Sequence, residues 1–382
     1  MTNVNVAPPG RITRFGTVAL AASIVAMLGA SAIPALAGPV SVTNLITDDQ
    51  SANPAPLTDP NLINAWGVSF PPGGPLWVSA ADSSRSMIYS IDPVTNAPTK
   101  IGLEVSIAGN PTGQVFNGNS AAFNGDAFIF ASEDGSISGW RGALGTTAEI
   151  LQLASADNVY KGLATAQVGD HSYLYAADFL GSEIDVLKGD AGAPDLSGKF
   201  DDPTLPAGYA PFNVQTIGDR VYITYALQNA DGDEEVPGVG LGFVNVFDTQ
   251  GNFISRVGSD GMLNAPWGLA LGPSSFGDFA GDLFVGNFGD GRINIFDLAT
   301  NTFIGQLLDI HGNPIAIDGL WALTPGNDGR AGSADRLYFT AGPDEESHGL
   351  VGVLNPVPEP ATLTLFGTGI GALFARRRRH RA

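Results

Sequence analysis

The sequence predicts an all-β protein, a six-bladed β-propeller, and three observations support this prediction. A unit of four short strand-like segments recurs about six times along the chain. Outside the two terminal segments, apolar residues come in short runs separated by Gly, Asp and Asn, without a sustained 3.6-residue period. One strand-like segment, residues 40–46, belongs to no complete unit. Together these features favour a ring of small sheets that is closed by its own N-terminal strand.

The clearest copy of the unit shows its four strands, which we call a to d in chain order. They lie at residues 265–273, 281–288, 291–297 and 303–308. The b strand recurs at intervals of about 46 to 62 residues, a spacing that suits four strands and their loops. Its copies lie at residues 75–79, 126–130, 172–176, 220–224, 282–286 and 336–340. The c strand recurs in step with the b strand, so six blades are expected.

The two ends of the repeat indicate how the ring closes. The sixth copy stops after its c strand, at Asn355, while residues 40–46 supply an extra strand at the start. If that strand is the d strand of the last blade, the last sheet is complete and the ring is held shut. The predicted propeller therefore spans residues 38–356.

The N-terminal segment has the pattern of a cleavable export signal. Two arginines precede an uncharged run, residues 15–37, which ends in an Ala-x-Ala pattern formed by Ala35 and Ala37. Signal peptidase requires small residues at these positions, so residues 1–37 are predicted to be removed before Gly38. The two arginines are not adjacent, which favours the general secretory route over the twin-arginine route.

The last 26 residues combine a proline-bracketed acid, an apolar run and an arginine cluster. The apolar run, residues 361–375, is predicted to be a short transmembrane helix of about 22 Å, less than the roughly 30 Å of the hydrocarbon core. Snorkelling arginines or local thinning of the bilayer would close that difference. The segment as a whole spans residues 357–382, with its motif at 357–360 and its basic cluster at 376–381. The motif and cluster residues are Val357, Pro358, Glu359, Pro360, Arg376, Arg377, Arg378 and Arg379.

This order of elements resembles the PEP-CTERM sorting signal, which exosortase-type proteases recognise on exported proteins of Gram-negative bacteria. The resemblance implies an inner-membrane intermediate followed by delivery to the cell surface or the extracellular matrix. It implies an exosortase and signal peptidase as partners, and membrane contact through the C-terminal segment before processing. An ordinary single-pass anchor is the alternative, and whether the mature protein is released or attached stays open.

The body of the chain resembles an uncharacterised family of exported, propeller-like bacterial proteins that often carry this tail. The segments that carry the resemblance are residues 64–67, 133–140, 175–179, 210–215, 263–268, 286–291 and 318–321. The architecture that the resemblance implies is NHL-like or lactonase-like. It implies no reaction.

Charge and cysteine content exclude several classes of function. The chain has 18 basic and 38 acidic side chains, a net charge of −20, and no cysteine. Removing the two terminal segments takes away seven arginines and one glutamate, which leaves a body with a net charge near −26. Such a body repels nucleic acid and anionic lipid and attracts cations. Disulfides and thiolate chemistry are unavailable.

Polar residues at the starts of the strands labelled a and at the ends of those labelled b form a predicted rim on one face of the ring. Carboxylate and amide oxygens at this density suit Ca²⁺ and also hydrogen-bond sugar hydroxyls. The same residue types cap turns, so turn capping is the competing explanation, and no cofactor is certain. The candidate rim residues are Asn64, Asp82, Asp134, Asp178, Asn213, Asn264, Asn287 and Asp318.

The sequence shows no coherent catalytic constellation, so it predicts a non-catalytic exported propeller that binds a ligand or organises extracellular matrix. Exopolysaccharide is the candidate partner. The alternative is a metal-dependent hydrolase of the gluconolactonase type, with Asn213, Asn264 and Asp318 as part of its metal site. The glutamate expected in the first blade of such an enzyme is missing, because that position reads Asn64-Ala65-Trp66.

Two further features receive structural interpretations. The acidic insertion at residues 229–240 lacks the spacing of an EF-hand and is predicted to be a solvated loop. Trp66, Trp267 and Trp321 recur at equivalent places in the a strands and are predicted to pack between blades rather than to stack on sugars.

Overall fold

The computed structural model describes residues 39–259 and 261–357, and within them it confirms the six-bladed propeller. The predicted signal peptide and the tail from Pro358 onward lie outside the described residues. In the described part of the chain, every helix is too short or too polar to cross a bilayer. The four helices are 3-10 turns at Ala81–Ser83, Phe123–Gly125, Gly142–Leu144 and Ser274–Phe279.

The first three blades follow one another along the chain, each as an antiparallel sheet. Blade 1 contains β3 (Ala65–Ser69), β4 (Leu76–Ala80), β5 (Arg85–Ile91) and β6 (Pro98–Ser106). Blade 2 contains β7 (Pro111–Phe116), β8 (Phe128–Ser132), β9 (Ile137–Trp140) and β10 (Glu149–Gln152). Blade 3 contains β11 (Tyr160–Val168), β12 (His171–Asp178) and β13 (Glu183–Lys188).

The other three blades complete the ring. Blade 4 contains β14 (Tyr209–Ile217), β15 (Arg220–Leu227), β16 (Phe243–Asp248) and β17 (Phe253–Ser259). Blade 5 contains β18 (Pro266–Leu271), β19 (Leu283–Asn287), β20 (Ile293–Asp297) and β21 (Thr302–Gln306). Blade 6 contains β22 (Leu320–Pro325), β23 (Leu337–Ala341), β24 (Leu350–Pro356), β1 (Val40–Thr47) and β2 (Leu57–Thr58).

The N-terminal strand closes the ring, as the repeat predicted. β1 pairs antiparallel with β24, with Val40 opposite Pro356 and Thr47 opposite Leu350. The short strand β2 then adds to β1 in parallel as a fifth, outermost strand of this blade. Joining the two ends of the described chain in one sheet leaves no gap between the first and last blades.

Blade 3 departs from the four-strand expectation, because its outer position is held by a connection, residues 189–208, rather than by a strand. Proline and glycine punctuate this segment, and proline cannot donate to a strand ladder. The segment is still anchored: Tyr173 donates its hydroxyl proton to the carbonyl of Pro194 at 2.8 Å, and Phe200 is buried against Tyr175.

The six inner strands share one irregularity that sets the geometry of the axis. Near the start of each inner strand the register with the second strand shifts, so the inner strand has one residue more than its partner there. Such bulges turn a side chain away from its regular alternation. We call the six residues at these positions the axial ring; they are Trp66, Thr112, Lys161, Phe212, Trp267 and Trp321, and all are buried.

Small residues next to the axial ring let the inner strands approach one another. A Cβ atom on Gly67 would collide with the carbonyl oxygen of Thr112 in the neighbouring blade. A Cβ on Gly162 would collide in the same way with the side chain of Asn213. The absence of a side chain at these two positions therefore permits the tight inner ring, while hydrophobic clusters fill the spaces between adjacent blades.

Candidate functional site at the channel mouth

Aromatic rings fill the centre of the channel. Trp321 stacks on Trp66 with ring centroids 3.7 Å apart and on Phe288 at 4.1 Å. Trp267 packs edge-on against Trp321 at 5.8 Å. The three tryptophans therefore pack between blades, as predicted, and close the channel at its middle.

Lys161 is the one charged member of the axial ring, and its side chain is 1% exposed. Its Nζ atom lies 2.6 Å from Oε1 of Glu133, which follows β8, and 3.0 Å from Oε2 of Glu234. The ammonium also lies over the ring of Trp66, 5.4 Å from its centroid. A lysine this deeply buried requires carboxylate partners, because an unpaired buried charge is very costly.

A second pair, formed by Asn64 and Glu346, extends the site across the ring. Asn64 donates through Nδ2 to Oε2 of Glu346 at 2.6 Å and accepts from Nε1 of Trp321 at 3.1 Å. The backbone is strained at Asn64, which has a φ of +50°. It is also strained at residues 344–346, whose three φ values lie between +52° and +66°. Consecutive left-handed residues without glycine cost energy and cluster where function constrains the backbone.

The loop at residues 229–240 brings two more carboxylates to Lys161, which corrects the prediction that it is merely solvated. Glu234 forms the ion pair described above, and the neighbouring Glu235 is held by pairing of its backbone with Gln228. Oε2 of Glu235 is buried and has no hydrogen-bond partner among the described residues. We call Asn64, Glu133, Lys161, Glu234, Glu235 and Glu346 the mouth cluster.

The electrostatics of the mouth cluster keep the lysine charged and leave two acids protonated near neutrality. Burial alone would lower the pKa of Lys161, but Glu133, Glu234 and Glu235 outweigh it, and the pKa is raised. Burial raises the pKa of Glu235 to about 8, even though Lys161 opposes the shift. Burial also raises the pKa of Glu346 to about 7, against the hydrogen bond from Asn64. The Lys161 ammonium thus interacts with four carboxyl groups, and two of them, Glu235 and Glu346, have pKa values raised into the neutral range.

Beyond the aromatic layer, the inner strands line a cavity of about 260 Å³. Its walls come from β3, β7, β11, β14, β18 and β22, and the lining side chains carry no titratable group. Polar groups such as Gln215 and Thr165 alternate there with Val, Leu and Phe side chains. The charged chemistry of the channel therefore lies at its other end, in the mouth cluster.

Of the eight predicted rim residues, the structure brings Asn64 and Asp82 to the mouth. Asp82 is exposed in the turn after β4. Partial burial and the charge of Glu133 raise its pKa, against the hydrogen bond that it shares with Asn64. These two residues therefore belong to the same electrostatic field as Lys161.

The three other amides of the predicted rim hold backbone segments. Asn213 donates to the carbonyl of Trp267 at 2.7 Å, and its oxygen accepts the next backbone N–H at 2.8 Å. Asn264 accepts from the N–H of Gly238 at 2.6 Å. Asn287 donates to a carbonyl in the preceding loop at 2.8 Å. Each amide fastens a connection to a neighbouring strand or blade.

The three remaining carboxylates of the predicted rim cap turns. Asp134 accepts from the N–H and hydroxyl of Ser136 at 3.0 and 2.6 Å. Asp178 accepts from two backbone N–H groups at 3.0 Å, and Asp318 accepts from the N–H of Asp344 at 2.8 Å. Turn capping accounts for these positions without a ligand.

The residues expected for a lactonase-type metal are each held by a backbone hydrogen bond. One oxygen of each of Asn213, Asn264 and Asp318 accepts a backbone N–H. Within residues 39–259 and 261–357, no three His, Asp or Glu side chains converge closely enough to hold a metal ion. Lys161 instead supplies a cation of the protein's own at the axis.

Sequence reasoning missed the two carboxylates with the largest pKa shifts, Glu235 and Glu346. A signal for Lys161 was present: Trp66-Gly67 and Trp267-Gly268 have the counterpart Lys161-Gly162 in the third blade. That alignment places a lysine where other blades carry tryptophan, which predicts a buried charge in need of acids. Nothing equivalent marks Glu235 and Glu346, which lie in loops of irregular length.

Two solved structures are similar to this chain. The periplasmic gluconolactonase of Pseudomonas aeruginosa is 17% identical, with a TM-score of 0.43, over 77% of this chain and 86% of that chain. The PQQ-bound aldose sugar dehydrogenase from Streptomyces coelicolor is 17% identical, with a TM-score of 0.47, over 84% and 99%. At these values neither likeness bears on the ligand or the reaction of this chain.

Sequence relatives and a motif match are more informative. The chain is 32% identical over 349 residues to the uncharacterized protein R648 of Acanthamoeba polyphaga mimivirus, which covers 85% of this chain and 84% of the relative. It is 31% identical over 313 residues to the uncharacterized protein L690 of the same virus, covering 78% and 81%.

The match to a sorting signal covers a much shorter segment, of 24 residues. Residues 356–379 match the PEP-CTERM protein-sorting motif, which confirms the resemblance drawn from the tail. The motif implies an exported protein that is processed by an exosortase and sorted to the surface of a Gram-negative bacterium. The chain thus belongs to the same family as the mimivirus proteins R648 and L690, and it carries a PEP-CTERM protein-sorting motif at its C-terminus.

Proposed function

We propose that this protein is a non-catalytic binding propeller of the cell envelope whose ligand is taken at the mouth cluster. Export runs through the general secretory route with removal of residues 1–37, and the tail of residues 357–382 holds a membrane intermediate until an exosortase acts. The mature propeller then serves at the surface or in the extracellular matrix, with exopolysaccharide as its candidate partner.

The observation that carries the binding assignment is the state of Lys161. Two carboxylates at 2.6 and 3.0 Å hold its ammonium, and its raised pKa keeps it protonated at physiological pH. A protonated lysine is neither a nucleophile nor a general base. The one basic side chain at the axis therefore supports electrostatic recognition rather than chemistry at a substrate bond.

Processing of the tail is the first test of the proposal. We expect Glu359→Ala, or deletion of Arg376 to Arg379, to leave an unprocessed form in the membrane fraction, because the motif and its basic flank are what the sorting protease reads. The measurement is the apparent mass and fractionation of the protein in a host that encodes an exosortase. Glu345→Ala, an exposed acid of the propeller, is the matched control and should be processed normally. Normal processing of both tail variants would contradict the sorting assignment.

A hydrolase of the gluconolactonase type makes the opposite prediction. It requires hydrolysis of a lactone by the purified exported protein, and loss of that activity in Asp318→Ala and after EDTA. We expect no metal-dependent hydrolysis and no change in the thermal midpoint with EDTA. Robust hydrolysis that depends on Asp318 and on a stoichiometric divalent ion would replace the binding assignment by the enzymatic one.

A further inference from the structure

We propose that the mouth cluster binds the primary ammonium group of an organic cation, with the unpaired Oε2 atom of Glu235 as its main acceptor. This inference rests on the proposed binding function and names its ligand class. The carboxyl of Glu235 interacts with the Lys161 ammonium and with two other carboxyl groups. One belongs to Glu234 in the same loop, and the other to Glu346 in a different loop. Its Oε2 atom is buried without a partner among the described residues. A buried acceptor in this state lacks the donor that such groups almost always have.

Charge selects a cation. Four carboxyl groups of the mouth cluster face one ammonium, and Asp82 adds another acid at the edge. The body of the protein as a whole is strongly acidic. A cleft lined by one sign of charge concentrates ligands of the opposite sign.

The arrangement of acceptors favours an ammonium over a metal ion. A divalent metal requires several ligands converging on one point, and no three His, Asp or Glu side chains of the described residues converge in this way. An ammonium has three diverging donors and is satisfied by acceptors placed around it. Lys161 shows that the site accommodates this geometry, since its own ammonium lies between Glu133 and Glu234.

The aromatic floor adds to this preference. The Lys161 ammonium lies 5.4 Å above the Trp66 ring, and Trp66 is fixed from below by its stack on Trp321. Nε1 of Trp66 is also buried without a partner among the described residues. The mouth thus already holds one ammonium between carboxylates and an aromatic face, a setting that suits organic cations better than hydrated metal ions.

Binding is expected to release protons. The groups that face Glu235 and Glu346 are Lys161 from β11, Glu133 after β8, Glu234 beside Glu235, and Asn64 before β3. With pKa values of about 8 and about 7, both acids hold protons over part of the neutral range. An incoming cation favours their ionised forms, so affinity for spermidine, whose alkylammonium groups stay largely charged up to about pH 8, should rise between pH 6 and pH 8 while protons are released.

The test is calorimetric titration of the exported protein with a glucosamine oligosaccharide and, separately, with spermidine. The N-acetylated oligosaccharide is the matched ligand control, because it has the same sugar without the ammonium. We expect an ammonium ligand to bind at least about tenfold more tightly than its uncharged counterpart, and Glu235→Gln to weaken binding by about tenfold or more. Preference for the oligosaccharide indicates a polysaccharide source, and preference for spermidine indicates a free polyamine.

Two controls keep the result interpretable. Glu149→Gln alters a carboxylate that pairs with Arg141, outside the mouth cluster, and should bind normally. Glu346→Gln provides a second cluster variant if Glu235→Gln lowers the thermal midpoint. Equal binding of acetylated and free oligosaccharide, absence of binding for both cations, or unchanged affinity in both cluster variants would overturn the inference. Tail processing is measured independently, so failure here is distinguishable from failure of the sorting assignment.

Discussion

Replacing Lys161 by methionine is expected to lower the free energy of unfolding by about 2–3 kcal/mol, below the range for a fully buried ion pair because Glu133 and Glu234 are 26% and 58% exposed. Methionine fits the space but leaves Glu133 and Glu234 without the ammonium that now lies 2.6 and 3.0 Å away. It also removes the charge that opposes the upward pKa shift of Glu235. Urea denaturation at fixed pH measures this loss.

The loss in Lys161→Met should depend on pH with a defined sign. Without the lysine, the folded-state pKa values of Glu235 and Glu346 rise further above their unfolded values, because Lys161 lowers both. Stability from a raised pKa is present below the unfolded value and is lost as pH rises through the folded value. The variant should therefore be closer to the wild type at pH 5 than at pH 8.

Lys188→Met provides the matched control. Its ion pair with Asp195 has a similar distance, 2.6 Å, but the two side chains are 39% and 94% exposed. Exposed pairs contribute about 0–1 kcal/mol. Equal effects of the two lysine variants would contradict the assignment of Lys161 as the charge centre of the channel.

Replacing Trp321 by alanine should also cost about 3–5 kcal/mol, as expected for truncation of a large buried aromatic residue. Trp321 is fully buried, stacks on Trp66 and Phe288, and donates its indole N–H to Asn64. The cavity would open between the blades where the inner strands approach most closely. Chemical denaturation measures the change.

Two variants separate the contributions of Trp321. Trp321→Phe retains a ring but loses the hydrogen bond to Asn64, so it should cost less than the alanine variant. Phe303→Ala on the outer strand β21 removes a side chain that is 46% exposed and should change stability by no more than about 1 kcal/mol. If Trp321→Ala were no more destabilising than Phe303→Ala, the aromatic layer would not be a structural centre.

The architecture followed from the sequence because each blade repeats the same local rules. The predicted b strand at residues 282–286 differs by one residue at each end from β19 (Leu283–Asn287), and the N-terminal strand pairs where it was expected. Alternating apolar residues and turn signals are local, so they survive in every copy. Blade 3 deviated where prolines and glycines replace a strand by a connection, residues 189–208.

The mouth cluster was only partly predictable, since it depends on contacts across the ring. Asn64 and Asp82 were found because they lie at strand ends, whose place in the repeat is known. Glu235 and Glu346 lie in loops outside any repeating register, and their approach to Lys161 becomes visible only once the ring is closed. The bulge that turns Lys161 to the axis is likewise a feature of backbone pairing rather than of composition.

The most direct test of the mouth cluster is a pH titration of its carboxyl carbons by NMR in protein labelled with ¹³C-glutamate. Glu235→Gln and Glu346→Gln assign the two resonances, each by the loss of one signal. We predict that the carboxyl of Glu346 titrates near pH 7 and that of Glu235 near pH 8, because burial disfavours their ionised forms. Titration of both below about pH 5, as for ordinary glutamates, would contradict the burial of Glu235 and Glu346 in a carboxyl cluster around Lys161.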